Sequence, residues 1–205
     1  MDIRNEVLLP DCFYHIHNRG INSNKIFNSH ENYSYFLKKF DQYLSPICDV
    51  YAYCLMSNHF HFLIKIKNIE VLELFAIKNS KTVERHKTGL HSISNIFSKQ
   101  MSKFLSCYTQ SFNKVYNRHG ALLESPYKRI RVENEDYLKN LILYIHRNPG
   151  DGEYNVYKDY KYSSYLAIIS NMKTSIVRND VVVLFGSVQN FIYTHQHPPK
   201  FDFEF

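Results

Sequence analysis

The residues that could carry chemistry fall into two groups far apart in the chain. His59 and His61 alternate with Phe60 and Phe62 within Tyr53-Cys54-Leu55-Met56-Ser57-Asn58-His59-Phe60-His61-Phe62-Leu63-Ile64. The β-branched and aromatic content of this stretch reads as a strand. Alternation puts His59, His61 and Leu63 on one face and Phe60, Phe62 and Ile64 on the other. The two imidazoles are then roughly 7 Å apart at Cα and can converge on one ion. Such a pair needs a third ligand and a group to act.

The second group is Tyr144-Ile145-His146-Arg147-Asn148. It lies in a stretch whose Leu138, Leu141, Ile142 and Ile145 recur at helical spacing. Tyr144 and Asn148 are four residues apart and project one turn apart from one side. On spacing alone the plainer reading is a boundary tyrosine and a helix C-cap ahead of Pro149. The same spacing turns His146 away from that pair, toward a structural or nucleic-acid contact. Two more His-x-His patterns occur. His15 and His17 fit a polar or nucleic-acid-facing strand better than a metal site, and His195 and His197 sit beside Pro198-Pro199 in what reads as a frayed tail.

The elements that must position these groups follow from periodicity. Strands are expected over 11–19, 47–55, 59–64 and 127–132, the second and third forming a hairpin through Met56-Ser57-Asn58. Helices are expected over 30–44, 69–77, 93–116 and from a cap at Asn134 or Glu135 to Arg147, where Pro149 stops the last one. Residues 78–91 read as a basic, mobile loop. The order implies an α+β, ferredoxin-like antiparallel sheet of about four strands with helices packed on one side. Residues 1–168 form one domain in this reading. Residues 169–205 form an irregular or short-helical C-terminal extension, with short helices over 179–184 and 188–193.

Composition narrows the partners. A net charge of +6 with 17 Tyr and 15 Phe suits a polyanion that offers stacking surfaces, and nucleic acid is the commonest such partner. Cys12, Cys48, Cys54 and Cys107 show no metal-knuckle or disulfide spacing and read as reduced thiols. No secretion signal opens the sequence and no apolar run of membrane-spanning length occurs, so a cytoplasmic, nucleoid-associated location with no membrane partner is expected.

Five ordered blocks resemble the single-tyrosine HUH transposases, in particular the REP-associated tyrosine transposase branch. They are Tyr14-His15-Ile16-His17-Asn18-Arg19-Gly20, Leu55 to Leu63, Tyr116-Asn117-Arg118-His119-Gly120, Tyr127-Lys128-Arg129-Ile130, and Tyr137-Leu138 through Tyr144-Ile145-His146-Arg147-Asn148-Pro149. A trailing Tyr162-Ser163-Ser164-Tyr165 is also similar, so the resemblance spans about 10–168. It implies that His59, His61 and Asn148 hold one divalent cation, Mg²⁺ or Mn²⁺. It implies that Tyr144 is the nucleophile, cleaving and rejoining single-stranded DNA beside hairpins through a 5′-phosphotyrosine, in a monomer or a homodimer. Candidate DNA contacts are Arg19, Asn22 and Lys25 in the first loop, Lys128, Arg129 and Arg131 on a strand with one charged face, Arg118, Arg147, and Tyr127 as a stacking ring. The residue types also allow a hairpin DNA-binding protein with little catalysis, a ferredoxin-like RNA-binding module, or a metal phosphodiesterase that activates water.

Overall fold

The computed structural model describes residues 6–79, 95–149 and 156–201. Four strands, β1 (Phe13–Arg19), β2 (Cys48–Met56), β3 (His59–Ile66) and β4 (Lys128–Val132), form one sheet in the order β2-β3-β1-β4 with every neighbouring pair antiparallel. This is the ferredoxin-like order expected from the sequence. The helices are α1 (His30–Leu44), α2 (Ile69–Asn79), α3 (Ile96–Val115), α4 (Glu135–Arg147), α5 (Tyr165–Ile169), α6 (Arg178–Phe185) and α7 (Val188–Gln196). Most of the loop expected over 78–91 lies outside the described residues.

The alternation on β3 divides the molecule. Phe60 and Phe62 face α1 and α3, where Phe40 stacks on Phe62 at 4.1 Å and Phe36 meets Phe60 at 5.1 Å and Phe104 at 4.7 Å. All five rings are buried, and together they form the centre of the core. α1 starts where it does because Asn32 Oδ1 accepts from the Asn28 and Ser29 backbone N–H groups, satisfying donors that precede the first turn.

The placement of α4 corrects the sequence reading, which put the helices on one side. α4 packs on the opposite face, against β2 and β3, so the sheet is covered on both sides. The reason is visible in the strands. The His59/His61 face also carries Leu63 and Cys54, both fully buried, and the apolar stripe Leu138, Leu141, Ile142 and Ile145 of α4 is what covers them. The N-terminus of α4 is set by Asn134, whose side chain accepts from Tyr137 N–H at 2.8 Å. Glu135 and Asp136 in the first turn and Arg147 in the last suit the helix dipole.

The chain after 156 is more ordered than an irregular tail. It runs along the outer edge of β2, with Leu55 N–H donating to Tyr162 O, Ser164 N–H to Tyr53 O and Val177 N–H to Val50 O. These bonds occupy an edge that would otherwise expose unpaired backbone. His195 is fully buried rather than frayed, and it pairs with His146. The partners fix the protons. His195 Nδ1 lies 2.7 Å from the carbonyl of Phe191, which only accepts, so Nδ1 carries the hydrogen. His195 Nε2 then accepts from His146 Nδ1–H at 2.8 Å. His146 Nε2 in turn accepts from the Ser164 hydroxyl at 2.7 Å, and Ser164 Oγ accepts from Tyr53 N–H at 2.8 Å. Beside this line Arg147 donates to His195 O at 2.6 Å. Every member is satisfied with both rings neutral, and the line ties α7 and α5 to α4 and β2. His146 is thus structural.

Burial holds the His146 imidazole well below its usual range, with His195 adding to the effect, and pushes His195 down to about 4. The folded state therefore favours the neutral rings. Above the ordinary value of 6.5 neither state takes up a proton and the contribution is complete. As pH falls through 6.5 the unfolded chain binds protons that the folded chain refuses, so stability declines until folded His195 protonates near 4. At about 1.4 kcal/mol per pH unit, His195 alone accounts for roughly 3 kcal/mol. Urea unfolding at pH 7 and pH 5 should show a clear loss at pH 5. A flat profile would mean that these rings are not held neutral.

Candidate active site

β1, β3 and α4 converge on one cleft of about 640 Å³ lined by His17, Arg19, His59, His61, Lys128, Tyr144, Arg147 and Asn148 among others. Register brings the ring systems together. His17 lies directly across from His61, and Arg19 across from His59, on neighbouring strands. α4 lies over that face so that the Tyr144 ring stands perpendicular to His61 with centroids 5.7 Å apart. Asn148 Oδ1 lies 3.0 Å from His59 Nε2. Asn148 does occupy the C-cap position of α4, as the plainer sequence reading holds, but its side chain turns to the strand. Phe60 and Phe62 point to the other side of the sheet.

The amide of Asn148 faces two ways. It hydrogen-bonds the Tyr144 hydroxyl in a manner that favours the phenolate, which only its N–H group can do, so its oxygen is left facing His59. His59 sets both ring nitrogens against amide oxygens, Nδ1 2.7 Å from Asn58 Oδ1 and Nε2 3.0 Å from Asn148 Oδ1, and a neutral ring can donate to only one of them. With the hydrogen on Nδ1, the side of the shorter contact, His59 Nε2 and Asn148 Oδ1 are two lone-pair atoms 3.0 Å apart. Neighbouring oxygen or nitrogen ligands at a right angle on an ion with bonds of about 2.1 Å are separated by about 3.0 Å. In that tautomer the donor set of His59 and Asn148, with the His61 ring 5.2 Å from that of His59, fits a divalent cation. Among the described residues no three His, Cys, Asp or Glu side chains are arranged as a metal site, and the third donor here is an amide.

His17 and His61 add no charge to the arginines and lysine of the cleft. Burial holds His61 well below its usual range, with His15 and His17 adding to it. Burial, then Lys128 and Arg19, push His17 down to about 4. Burial raises Tyr144, while Asn148 and Arg19 pull it back down. At neutral pH His17, His61 and the Tyr144 phenol are thus uncharged beneath a rim of cations.

The sequence-proposed DNA contacts separate. Arg19, Lys128 and Arg147 line the cleft. Alternation on β4 puts Lys128 on the His17 side and turns Arg129 and Arg131 to the other face, so the charged strand splits its charge between two faces. Arg129 donates to Ser98 Oγ at 3.0 Å and lies over the Tyr127 ring, beside α3 and away from Tyr144. Arg118 is spent locally, donating to Asn113 Oδ1 at 2.6 Å and to Ala121 O at 3.1 Å. Asn22 and Lys25 are exposed in the loop after β1. Sequence reasoning misplaced His15, which is not nucleic-acid-facing: it is fully buried, 2.8 Å from His61 Nδ1, and its ring forms a near-parallel triangle with those of His17 and His61. The signal was present in the first His-x-His pattern. The β1–β3 register that gives it meaning was not.

Strand order, two-sided helix cover and this cleft define an α+β antiparallel fold with a His-His-Tyr-Asn cluster on one sheet face. No family model matches the sequence, and no curated protein matches it. Among solved structures, a REP-associated tyrosine transposase bound to a REP hairpin is similar over 88% of this chain and 93% of that one, with 10% identity and a TM-score of 0.56. The chain has the fold of that transposase. A tRNA(His) guanylyltransferase from Saccharomyces cerevisiae aligns over 93% of this chain and 80% of that one at 12% identity, with a TM-score of 0.43, and adds nothing to the assignment.

The turn that presents His59 depends on Gly20. Gly20 N–H donates to Asn58 O at 2.8 Å, and Ile26 and Phe27 N–H both donate to Ser57 O. A Cβ on Gly20 would stand 2.1 Å from the Asn24 carbonyl oxygen, a backbone atom that cannot swing aside. Gly20→Ala should therefore cost about 1–3 kcal/mol through forced backbone shifts, or several degrees of melting temperature. An unchanged midpoint by thermal denaturation would show that the loop does not pack this tightly.

Proposed function

We propose that this protein is a metal-assisted transposase that cleaves and rejoins single-stranded DNA next to hairpins, with Tyr144 as nucleophile. The observation that carries the reading is the convergence of Tyr144 and Asn148 from α4 on the His59/His61 face of β3, 5.7 Å between the Tyr144 and His61 rings and 3.0 Å from Asn148 Oδ1 to His59 Nε2. The fold shared with a transposase bound to a hairpin supports the choice of substrate.

In this reading the Tyr144 oxygen attacks a backbone phosphorus. The P–O bond to the tyrosine forms as the bond to the 3′ oxygen breaks, leaving a 5′-phosphotyrosine and a free 3′-hydroxyl. The exchange of one phosphodiester for another conserves the bond, so a second 3′-hydroxyl can reverse the step without ATP. The phenol must lose its proton to attack, since burial keeps it protonated at rest. The Asn148 N–H bond and the Arg19 charge both favour the phenolate, and these are the chain's own contributions to activation. Arg19, Lys128 and Arg147 bind the backbone phosphates on either side of the scissile one. His59, His61 and Asn148 would hold Mg²⁺ or Mn²⁺, which when bound supplies charge neutralisation at the scissile phosphate.

Neutral imidazoles matter to this assignment, because only an unprotonated ring nitrogen can ligate. Burial keeps His61 so while the cleft retains its positive rim.

Incubating the protein with a labelled single-stranded hairpin and Mn²⁺ should give a covalent protein–DNA adduct that resists denaturation. Tyr144→Phe should reduce adduct at least about a thousandfold while leaving hairpin affinity nearly intact. Cleavage that persists in Tyr144→Phe would replace the tyrosine mechanism with hydrolysis by water. Tighter binding to RNA of the same sequence, with no adduct from the wild type, would replace it with an RNA-binding role.

A further inference from the structure

Each of the two proposed ligand imidazoles has its Nδ1 engaged by a side chain, one its chain neighbour and one from another strand. For His59 the partner is Asn58 Oδ1 at 2.7 Å. That amide cannot turn over freely, because Asn58 Nδ2 donates to Ser23 O at 3.3 Å. Ser23 is itself held in the loop by its N–H bond to Gly20 O at 3.0 Å. The loop after β1 thereby sets which end of the amide faces the ring.

For His61 the partner is His15 Nε2 at 2.8 Å from Nδ1. Two ring nitrogens at this distance share one proton, and which ring keeps it decides what His61 can do. With the proton on His61 Nδ1, its Nε2 holds a lone pair and can ligate. With the proton on His15 Nε2, His61 Nδ1 becomes the acceptor, the neutral ring must carry its hydrogen on Nε2, and that nitrogen cannot ligate. His15 has no exposure to solvent and stacks on both His17 and His61, so its ring cannot swing away to another partner. It comes from a different strand than its partner, as a deliberate support would. The plainer account, that His15 only fills space in the core, does not explain a nitrogen aimed at the one ring atom that fixes the tautomer of His61.

We propose that Asn58 and His15 are positioning residues that hold His59 and His61 as Nδ1–H tautomers, so that both Nε2 atoms are presented together. This rests on the metal-assisted reading above and states what orders its ligands. Histidine ligands generally donate their second ring N–H to such a partner, and losing the partner typically weakens metal binding about 10–100-fold.

Two measurements on the full chain test it. Long-range ¹H–¹⁵N spectra of the metal-free wild type, labelled at histidine, report which ring nitrogen carries each proton. The expected result is Nδ1–H at both His59 and His61, and Nε2–H at either overturns the proposal whatever the metal does. Mn²⁺ titration followed by electron paramagnetic resonance then compares variants. Asn58→Ala and His15→Phe should bind Mn²⁺ about 10–100-fold more weakly, while His15→Gln, whose amide oxygen can accept from His61 Nδ1–H, should bind nearly as wild type. Equal affinity across variants with native circular dichroism overturns the proposal. Should His15→Phe fail to fold, the wild-type spectra and the Asn58→Ala affinity still decide it. A wild type that binds no Mn²⁺ sinks the metal-assisted reading, and the spectra then judge the tautomers on their own.

Discussion

A one-residue register on β3 governs everything else in this molecule. Phe60 and Phe62 belong to the aromatic core against α1 and α3, and His59 and His61 belong to the cleft under α4. Because side chains alternate with period two, a slip of one residue would exchange the two sets. It would bury two imidazoles among phenylalanines and expose two phenylalanines to the cleft. The large apolar area on one side is what makes such a slip costly, so the core supplies the accuracy with which the ligands are aimed. The β2–β3 turn and the loop after β1, tied together through Ser57, Asn58 and Gly20, pin the same register from the end of the hairpin.

The site is built by burying polar rings, which costs free energy unless each finds a partner. The protein does this with two histidine pairs. The pair His146–His195 is satisfied through Ser164, Tyr53 and Phe191, and the pair His15–His61 sits beneath the cleft. Both pairs are held neutral by burial, but they serve different ends. One fixes the helix that carries Tyr144, and the other lies against the strand that carries His61. α4 is the element common to both, with His146 on its buried side and Tyr144 and Asn148 at its border.

Local pattern made much of this legible. The alternation of β3, the limits of α1, the Asn134 cap and Pro149 stop of α4, and the hairpin turn all follow from short-range rules, and the strand order follows from the succession of elements. The side of the sheet on which α4 packs was not legible, because the apolar stripe of α4 fits either face and only the buried Leu63 and Cys54 choose between them. The split of Lys128 from Arg129 and Arg131 was available from alternation, but reading the strand as one charged face obscured it. The roles of His15 and His195 were not legible because their partners are 46 and 49 residues away and become neighbours only through tertiary register. Long-range pairs between identical residue types leave no local periodicity to read.

The hydrogen bonds along the outer edge of β2 have a bearing on modularity. Residues 160–164 and 176–177 complete the sheet at that edge, and α7 reaches the helix that bears the tyrosine. The segment after 156 is therefore packed into the outer edge of the sheet and tied to α4. Its sequence is free to drift on its exposed side, at Val183 and Tyr193 for example, while the few inward positions answer to a helix far upstream. Replacing this segment would have to keep His195 matched to His146, so a change at one end of the chain is constrained by a ring on the helix that bears Tyr144.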